Sequence, residues 1–510
     1  MAQFDATALV LVAVGEASGQ SVRQSSRQEW ITPTDLAGAA IKAALSDSGQ
    51  AELLAQAIDC IVAIRTFEDS GVSMGTGSPA NVPESYAMAG GVNPQHYFYS
   101  DVGGQGPQAL INEFAGSVQR GEYKAVLIAS AEANGTAKKA RKQGVKLDWQ
   151  KPSDRTFVDR LSAFPILSKA EIRHGIVSMP LAYSLIETAR RARLGMDDAA
   201  YQAEMAALWA AFSQKSLIRE HAQFARAWSI AGLQEGGEGN YPLTQIYRRW
   251  MVAQDAVDVA GALVLTTAGH ALAMGIAAEK MIWLAGAAQA SEPPISERAN
   301  LPGSDAQIFA INAALDQAGF AAGDLGPIDI YSCFPCAVFA ASDTMGVPQR
   351  ALADYTLTGG LSFFGGPGNG YAVHSLAAMV QALRADAQMG HAKPAMVTAN
   401  GGVMSKQAVG IYTAAQPERN WPGEAVQGYQ AAALPLDGAP SGKGKILTFT
   451  QAAGKELATG KEPPAPATVI LEMESGARAL AVVNDPPAAD LVGRIAAVTP
   501  GEKRHMAALV

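Results

Sequence analysis

Cysteine is scarce in this 510-residue chain, which holds only Cys60, Cys333 and Cys336. Three cysteines cannot form the disulfide framework of a small secreted scaffold. Cys333 and Cys336 have the spacing of half a zinc site, but no second pair of ligands follows at close spacing, so we expect no metal. A redox pair is a further interpretation, although the sequence around it is not thioredoxin-like.

Charge and long hydrophobic runs are also limited. Charged residues make up 17% of the chain and the formal net charge is −8, which argues against nucleic acid as a partner. No apolar run reaches the ~18 residues that would predict a membrane span. The apolar stretch Ala8–Val14 has no basic region before it and no cleavage site after it, which favours a buried strand over a signal peptide. We expect a cytoplasmic protein.

What the sequence does contain is enough apolar surface for several cores. Hydrophobic residues make up 48% of a length that predicts two to four domains. Short apolar runs at 8–14, 58–65, 125–131 and 260–267 alternate with helical patterns such as 107–121. This alternation predicts an α/β fold with a mainly parallel or mixed sheet.

Two segments break the alternation. Residues 135–250 hold a basic stretch, long helical patterns and most of the tryptophans, which indicates an inserted helical domain. Residues 425–510 hold short alternating runs separated by Pro and Gly, which predicts a small all-β domain. The expected domains are 1–275, which includes the insertion, then 276–418 and 425–510.

An internal repeat links the first two domains. The helical pattern at 40–45 and its terminal Gly49 recur 270 residues later at 310–315 and Gly319. The register persists across the following loop, because Ile58-Asp59 matches Ile328-Asp329. Chance similarity of two Ala-rich helices does not account for that shared register. We therefore infer a duplication, with a site between two similar halves.

Glycine is abundant, at 51 residues, and part of the excess lies before two helices. The first loop contains Gly103-Gly104-Gln105 and the second contains Gly365-Gly366-Pro367. Glycine lets a ligand approach the backbone, and a helix N-terminus presents unpaired N–H groups. Two such helix ends could stabilise an oxyanion such as a thioester enolate. The alternative for each loop is that its glycines only allow the chain to turn.

Four side chains lie where a parallel sheet would place a site. Tyr331 and Cys333 follow a predicted strand, Asn400 and Gly402 end another, and His374 follows the second glycine loop. His374 is a candidate general base, although a hydrogen-bonded packing histidine fits equally well. Asn400 could orient a water or carbonyl or form a tight turn, and Cys336 could be a small buried hydrophobe.

The basic stretch at 138–146, with Arg155 and Arg160, has two interpretations. It could contact the phosphates of a nucleotide-bearing thiol such as coenzyme A. More commonly, such a run of basic residues lies on a solvent-exposed surface and binds nothing.

These motifs resemble the thiolase superfamily, and most closely the thiolase-like proteins grouped with sterol-carrier-protein thiolases. The resemblance covers about residues 5–415. The motifs that carry it are Val102–Gln108, Asp329–Phe334, Gly359-Gly360 leading to Gly365-Gly366-Pro367, Asn400-Gly401-Gly402 before Ala408–Tyr412, and the segment from Asn240-Tyr241-Pro242 to Ala260.

The resemblance implies a fold and a substrate class. It implies two duplicated halves in a five-layer α/β/α/β/α core, with an inserted loop domain that binds coenzyme A. It also implies a homodimer and carbon–carbon bond chemistry on acyl-CoA, with the coenzyme A thioester as substrate or ligand and no covalently bound cofactor. The tail is similar to the OB-fold domain fused to, or partnered with, some of these proteins.

The departures from the family pattern decide the expected chemistry. The family's nucleophilic cysteine falls at Gly103, and the histidine of its Gly-His-Pro falls at Gly366. Tyr331 replaces the family's asparagine or histidine, and the last catalytic cysteine falls near Ala399 or Asn400. An acyl-enzyme on the usual cysteine is therefore not expected.

Three functions remain open. The first is non-covalent chemistry such as retro-aldol cleavage of a 3-hydroxyacyl-CoA, with Tyr331 or His374 as the base, since related thiolase-like aldolases lack the cysteine and use tyrosines. The second is acyl transfer with Cys333 or Cys336 as a relocated nucleophile, and the third is acyl-CoA binding without catalysis. The predicted catalytic residues are Tyr331, His374, Cys333 and Asn400, and the predicted substrate-binding residues are Gly103, Gly104, Gln105, Gly366, Pro367 and Gly402.

Overall fold

The computed structural model describes residues 5–26, 28–162, 166–235, 237, 239–429, 431–453, 465–487 and 489–510. Its strands are β1 Leu9–Ser18, β2 Ile58–Ala63, β3 His96–Tyr99, β4 Ala125–Ala133, β5 Val158–Asp159, β6 Asp258–Thr267, β7 Ile282–Ser291, β8 Ile328–Asp329, β9 Ala395–Gly401, β10 Lys406–Thr413, β11 Gly442–Gln451, β12 Ala467–Met473, β13 Arg478–Val483, β14 Ile495–Thr499 and β15 Met506–Leu509.

The helices of the described ranges lie between these strands. They are α1 Gly19–Ser26, α2 Pro33–Asp47, α3 Ala51–Ala57, α4 Val82–Gly90, α5 Gly106–Gln119, α6 Asn134–Lys142, α7 Lys169–Arg173, α8 Met179–Arg193, α9 Asp198–Ser216, α10 Ile230–Gln234, α11 Ala268–Ala273, α12 Asp305–Ala318, α13 Pro335–Met345, α14 Gly360–Phe363 and α15 Tyr371–Gln388. No described helix combines the length and the apolar character that crossing a membrane requires.

The first ten strands form one sheet in the order β5-β3-β2-β4-β6-β1-β7-β10-β9-β8. Its centre is an antiparallel pair in which Val10 of β1 lies opposite Trp283 of β7. From this pair outward, β6, β4 and β2 on one side correspond to β10, β9 and β8 on the other. The sequence repeat is therefore a structural duplication about the centre of the sheet.

Helices complete the layers of the duplicated core. Leu110 and Phe114 of α5 and Leu376 and Val380 of α15 share one buried cluster with residues of both halves of the sheet. Outer helices cover the other faces, with α2 and α4 on the first half and α12 and α13 on the second. This is the duplicated α/β/α/β/α arrangement that the resemblance implies.

Local sequence explains where α2 begins. Thr32 accepts a hydrogen bond from the Asp35 backbone N–H at 3.0 Å, and the Asp35 carboxylate accepts one from the Thr32 N–H at 3.0 Å. This reciprocal capping box, with Pro33 in the first turn, fixes the start of α2.

Glycine brings helix and strand backbones into contact in both halves. A Cβ on Gly15 of β1 would overlap the backbone of Ala40 and Ala44 in α2. A Cβ on Gly286 of β7 would likewise overlap the backbone of α12 at Ala314. In both halves, therefore, a strand glycine lets the outer helix pack directly against the strand backbone.

The edge of the sheet beside β3 is covered. Val158 and Asp159 of β5 pair with Phe98 and Tyr99 of β3. The guanidinium of Arg160 then lies 4.7 Å from the Phe98 ring centroid. An edge strand that is already paired offers fewer free backbone groups to a second chain.

Residues 134–257 form a mainly helical region, as the sequence predicts. Ile186 of α8 and Tyr201, Trp209 and Phe212 of α9 are buried in one cluster with the second half of the core. This cluster also contains Tyr331, so the helical region packs directly against the second half's candidate site.

The C-terminal strands form a closed barrel in the order β11-β12-β13-β15-β14, consistent with an OB-like domain. The barrel docks on the helical region, where the Thr448 hydroxyl donates to the Leu185 carbonyl of α8 at 2.6 Å. Arg191 of α8 forms an ion pair with Asp490 at 2.5 Å. The domain limits at 275, 418 and 425 stay predictions.

We expect Gly15→Ala and Gly286→Ala to lower the free energy of unfolding by about 1–3 kcal/mol each, because a methyl group has no space against the helix backbone. Chemical denaturation of the full chain followed by circular dichroism measures the change. Gly323→Ala is the control, since a Cβ there meets no atom within 4 Å. Equal stability of all three variants would contradict this account.

Candidate active site

The first glycine loop and the end of β9 lie in close contact. A Cβ on Gly104 would overlap the Tyr331 hydroxyl and would lie 2.6 Å from the Asn400 carbonyl oxygen. A Cβ on Gly401 would lie 3.3 Å from the Gly103 Cα. The structure therefore brings Gly103, Gly104, Tyr331 and Asn400 together, because glycine permits the approach.

Gln105 covers the same point. Its side-chain oxygen occupies the space that a Cβ on Gly103 or Gly401 would need. This oxygen is buried and has no hydrogen-bond partner in the described structure. The space that a side chain on Gly103 would need therefore holds the Gln105 amide.

The second glycine loop reaches this point through Asn369. The Gly103 N–H donates to the Asn369 Oδ1 at 2.9 Å, and the Asn369 Nδ2 donates to the Arg65 carbonyl at 2.8 Å. Gly366 donates its N–H to the Gln254 carbonyl at 2.7 Å, at the end of the helical region. Gly366 and Pro367 therefore lie in a loop that is joined to the first loop by the hydrogen bond between Asn369 and Gly103.

Tyr331 is a buried phenol at the centre of this arrangement. Its side chain is 6% exposed, and its hydroxyl makes no hydrogen bond with any described residue. Its ring packs edge-on against Tyr371, with centroids 5.4 Å apart. Burial, with a smaller contribution from Cys333, raises the pKa of Tyr331 above its usual value, so the hydroxyl is protonated at neutral pH.

Cys333 and Asn400 share a partner that the sequence does not suggest, Tyr183 of α8. The Tyr183 hydroxyl donates to the Gly402 carbonyl at 3.0 Å. It accepts from the Asn400 Nδ2 at 3.2 Å, and the Cys333 thiol lies 3.4 Å away. Burial raises the pKa of Cys333 to about 12, so its thiol is neutral.

Cys336 lies deeper, beside the buried carboxyl of Glu187. The Cys336 N–H donates to the Glu187 Oε2 at 2.9 Å, and the Tyr247 hydroxyl donates to the same oxygen at 2.6 Å. Burial, followed by the negative charge of Glu187, raises the pKa of Cys336 well above its usual value. These contacts fit the alternative that Cys336 is a packing residue.

His374 faces a different set of residues. It is fully buried on α15, where its Nδ1 lies 2.7 Å from the Glu16 carboxylate and its ring lies 4.8 Å from that of Phe364. Burial raises the pKa of Glu16, but the hydrogen bond and charge of His374, with Arg219, outweigh it and hold that pKa below its usual value. No contact in the described structure joins His374 to Tyr331.

Two backbone N–H groups at the site, those of Gly104 and Gly402, have no hydrogen-bond partner in the described structure. Gly104 lies two residues before α5, and Gly402 follows β9. Gly104 adjoins the Tyr331 hydroxyl, and Gly401, which precedes Gly402, adjoins Gly103, so the two segments in contact carry two unpaired N–H groups and a phenol.

The basic residues near the insertion divide into two groups. Lys138, Lys139, Arg155 and Arg160 form ion pairs with Asp255, Glu29, Glu84 and Glu113, respectively. No ion pair involves Arg141, Lys142 or Lys146 among the described residues. Four of these seven basic residues are therefore engaged in ion pairs, and the contact of this stretch with phosphates stays a prediction.

Sequence reasoning missed Tyr183 as a site residue. No local motif marks it, because it comes from the inserted helical region and meets Asn400 only in the folded chain. Asn369 had a detectable signal, since it ends a glycine-rich loop before a helix.

We expect Cys333 to resist alkylation in the folded protein, since a pKa of about 12 leaves only about one thiol in ten thousand ionised at pH 8. Iodoacetamide labelling followed by peptide mass spectrometry measures the rate between pH 7 and 9. Labelling in urea is the control and should modify every cysteine. Labelling in the folded state as fast as that of free glutathione would contradict the neutral thiol.

Comparison with known proteins supports the fold. No protein-family model and no curated protein matches the chain. Among solved structures, an Ltp2–ChsH2(DUF35) aldolase is 16% identical with a TM-score of 0.57, over 80% of this chain and 98% of that one. An acetyl-CoA acetyltransferase from Syntrophomonas wolfei is 14% identical with a TM-score of 0.56, over 80% of this chain and all of that one. These two show the fold alone.

A third structure shows more than the fold. It is a monomeric SCP2-thiolase-like protein type 1 from Mycobacterium smegmatis, with a TM-score of 0.79, 30% identity and 100% coverage of both chains. Because the likeness extends over the whole length, barrel included, this chain belongs to the SCP2-thiolase-like proteins of the thiolase superfamily.

Proposed function

We propose that the protein catalyses carbon–carbon bond chemistry on a coenzyme A thioester without a covalent acyl-enzyme. The concrete reaction is retro-aldol cleavage of a 3-hydroxyacyl-CoA, or its reverse. One observation carries the proposal: the family's nucleophile position is Gly103, the space that a side chain there would need is occupied by the Gln105 amide, and the Tyr331 hydroxyl lies against the next residue, Gly104. A site without a thiolate there needs a mechanism without an acyl-cysteine.

The reaction needs stabilisation of the enolate that forms when the bond between Cα and Cβ breaks. The free N–H groups of Gly104 and Gly402 are donors suited to the enolate oxygen. A preorganised donor does not have to reorient during the reaction. For this reason an oxyanion hole, a set of fixed N–H donors around a developing negative charge, contributes strongly to the rate.

Tyr331 is proposed to relay one proton: as the Cα–Cβ bond breaks and its electrons form the enolate, the phenol donates its proton to the enolate carbon and takes up the proton that the substrate's 3-hydroxyl loses, so that Tyr331 ends the step protonated. Its hydroxyl has no partner in the described structure, and burial keeps it protonated. A protonated phenol is a hydrogen-bond donor and an acid, so this geometry favours the acid role over the base role predicted from sequence. His374, held by Glu16, is not assigned a step.

The two alternatives have weaker support. A relocated nucleophile at Cys333 would need a thiolate, whereas burial raises its pKa to about 12. Binding of acyl-CoA without catalysis uses the same N–H groups, and no observation favours it over catalysis. The aldolase among the structural neighbours is in line with the first proposal, although at 16% identity it supports only the fold.

Oligomeric state and location stay predictions. The homodimer expected from the family would use the edge of the core, but β5 already pairs with β3 there. The similar protein from Mycobacterium smegmatis is described as monomeric, which agrees with an edge whose strand is already paired. We therefore propose a monomer for this chain, which light scattering after size exclusion tests. The cytoplasmic location is an expectation that rests on the sequence, which has only three cysteines and no signal-peptide pattern.

We expect the wild-type protein to release an aldehyde or ketone from 3-hydroxyacyl-CoA esters, and Tyr331→Phe to slow this release ~100-fold or more, because the phenol proton is lost. Chromatographic detection of the carbonyl product measures the rate. Tyr241→Phe is the matched control, since that tyrosine is 53% exposed. The Tyr331→Phe protein should bind coenzyme A normally by calorimetry.

Other outcomes would support the alternatives. An acyl adduct on Cys333 in intact-mass spectra, with activity lost in Cys333→Ser, would establish a relocated nucleophile. Binding of coenzyme A without turnover of any ester would indicate that the protein binds acyl-CoA without catalysing a reaction. Equal turnover by the wild type and Tyr331→Phe would overturn the assigned role.

The pH dependence separates an acid from a base at Tyr331. Because burial raises its pKa above the usual value, we expect the Tyr331-dependent rate to stay flat between pH 6 and 9. A base with that pKa would instead give a rate that rises about tenfold for each pH unit. Initial rates of the wild type across this range, divided by those of Tyr331→Phe, measure the difference.

A further inference from the structure

The turn that joins β9 to β10, residues 401–405, has a backbone conformation that most residues avoid. Met404 has a φ of 55°, and among the described residues it is the only one other than glycine with a positive φ. Gly402, in the same turn, has a φ of 63°. A left-handed residue that is not glycine costs free energy and persists only where the surrounding structure holds it. Contacts from outside the turn must therefore stabilise it.

Tyr183 of α8 supplies one set of these contacts. Its hydroxyl donates to the Gly402 carbonyl at 3.0 Å and accepts from the Met404 N–H at 3.2 Å. The same oxygen accepts from the Asn400 Nδ2 at 3.2 Å. The ring of Tyr183 stacks on Phe334, with centroids 4.0 Å apart and planes inclined by 14°, which fixes the direction of the hydroxyl. One phenol oxygen thus holds the backbone at both left-handed residues.

Arg298 holds the residue between them. Its Nη2 donates to the Val403 carbonyl at 2.6 Å, and its Nε donates to the Pro293 carbonyl at 2.8 Å. The guanidinium also forms an ion pair with the Glu292 carboxylate at 3.2 Å, and both side chains are only 2% exposed. A buried, planar guanidinium with three acceptors has little freedom to move. The Val403 carbonyl is therefore held in one position.

The last carbonyl of the turn is held as well. The Met404 carbonyl accepts from the Gln407 Nε2 at 3.0 Å and from the Ser304 hydroxyl at 3.3 Å. Each of the three successive carbonyls of residues 402–404 thus receives a side-chain donor from a different part of the chain. Val403 and Met404 are buried, whereas Gly402 is partly exposed and its N–H has no partner in the described structure.

The direction of the Gly402 N–H depends on this turn. The peptide unit between Gly401 and Gly402 is planar, so the N–H points away from the Gly401 carbonyl. That carbonyl accepts from the Ser405 N–H at 3.1 Å, a hydrogen bond that closes the turn. The bond needs the left-handed backbone at residues 402 and 404, which the side chains described above maintain. The unpaired N–H is consequently held in a fixed direction.

We propose that Tyr183 and Arg298 are positioning residues that hold the Gly402 N–H in place as a hydrogen-bond donor to a thioester oxygen. This inference rests on the role proposed above for that N–H and adds how the chain maintains it. Each side chain acts through a carbonyl of the turn. Loss of the Tyr183 hydroxyl should therefore weaken stabilisation of the thioester oxygen while every group proposed to contact that oxygen is still present.

Infrared difference spectra of bound butyryl-CoA, labelled with ¹³C at its carbonyl, measure this donor directly. Butyryl-CoA has no 3-hydroxyl group, so it cannot undergo retro-aldol cleavage and the measurement needs no turnover. We expect the wild type to shift the carbonyl stretch to lower frequency than in free butyryl-CoA, because fixed N–H donors polarise the bond. Tyr183→Phe at saturating ligand should reduce the shift about twofold, since the Gly104 N–H is unchanged.

Arg298→Lys should reduce the shift in the same direction. Lysine keeps a positive charge beside Glu292 but lacks the planar group that bonds to three acceptors at once. With 3-hydroxyacyl-CoA esters, Tyr183→Phe should lower kcat about tenfold at a nearly unchanged KM, because the donor is needed most in the transition state.

Tyr201→Phe is the matched control. The Tyr201 hydroxyl is buried and bonds to Glu187, which is on the same helix as Tyr183, but it has no contact with the turn in the described structure. The control thus loses a buried phenol hydroxyl and should keep the full carbonyl shift. Hydrogen exchange of peptides that cover residues 400–405 should be faster in Tyr183→Phe than in the wild type and unchanged in Tyr201→Phe.

Three results would overturn the proposal. They are equal carbonyl shifts in the wild type, Tyr183→Phe and Arg298→Lys, an equal loss of shift in Tyr183→Phe and Tyr201→Phe, and absence of any shift or saturable binding of butyryl-CoA in the wild type. Failure of the proposed reaction gives a different result. In that case no carbonyl product is released from 3-hydroxyacyl-CoA esters, while the shift that depends on Tyr183 is still observed.

Discussion

Contact between bare backbone segments is the constraint on which both the core and the candidate site depend. Gly15 and Gly286 let α2 and α12 rest directly on β1 and β7. At the site, Gly104 lets the Tyr331 hydroxyl and the β9 end approach the turn before α5. In each case a single methyl group would separate the elements, so the same residue type determines how the halves pack and what chemistry their junction permits.

The sequence predicts much of the fold because the relevant signals are local. Thr32-Pro33-Thr34-Asp35 predicts the start of α2, and the apolar run at 125–131 predicts most of β4. The duplication is visible in the sequence because the repeated helix, loop and strand keep one constant spacing between the two halves. Ile58 and Ile328 begin equivalent strands. In the tail, short alternating runs between Pro and Gly residues correspond to β12, β13 and β14. The strand β11 was not predicted, because its lysines and glycines obscure the apolar alternation.

The site is less predictable because its contacts join distant segments. Sequence motifs bring Gly104, Tyr331 and Asn400 to one place, and the structure does the same. A helical pattern, however, cannot indicate that His374 meets Glu16, which lies 358 residues earlier in the chain. The same limit hides Tyr183, whose partners come from two strand ends of the other half.

The barrel's attachment to α8 has a further consequence. Thr448 contacts the carbonyl of Leu185, and Tyr183, two residues earlier on that helix, contacts Asn400. Since barrel and core are one polypeptide, their docking is intramolecular, with an effective concentration set by the connecting segment rather than by the amount of protein. A modest interface then suffices, and the fraction of molecules with a docked barrel stays constant on dilution.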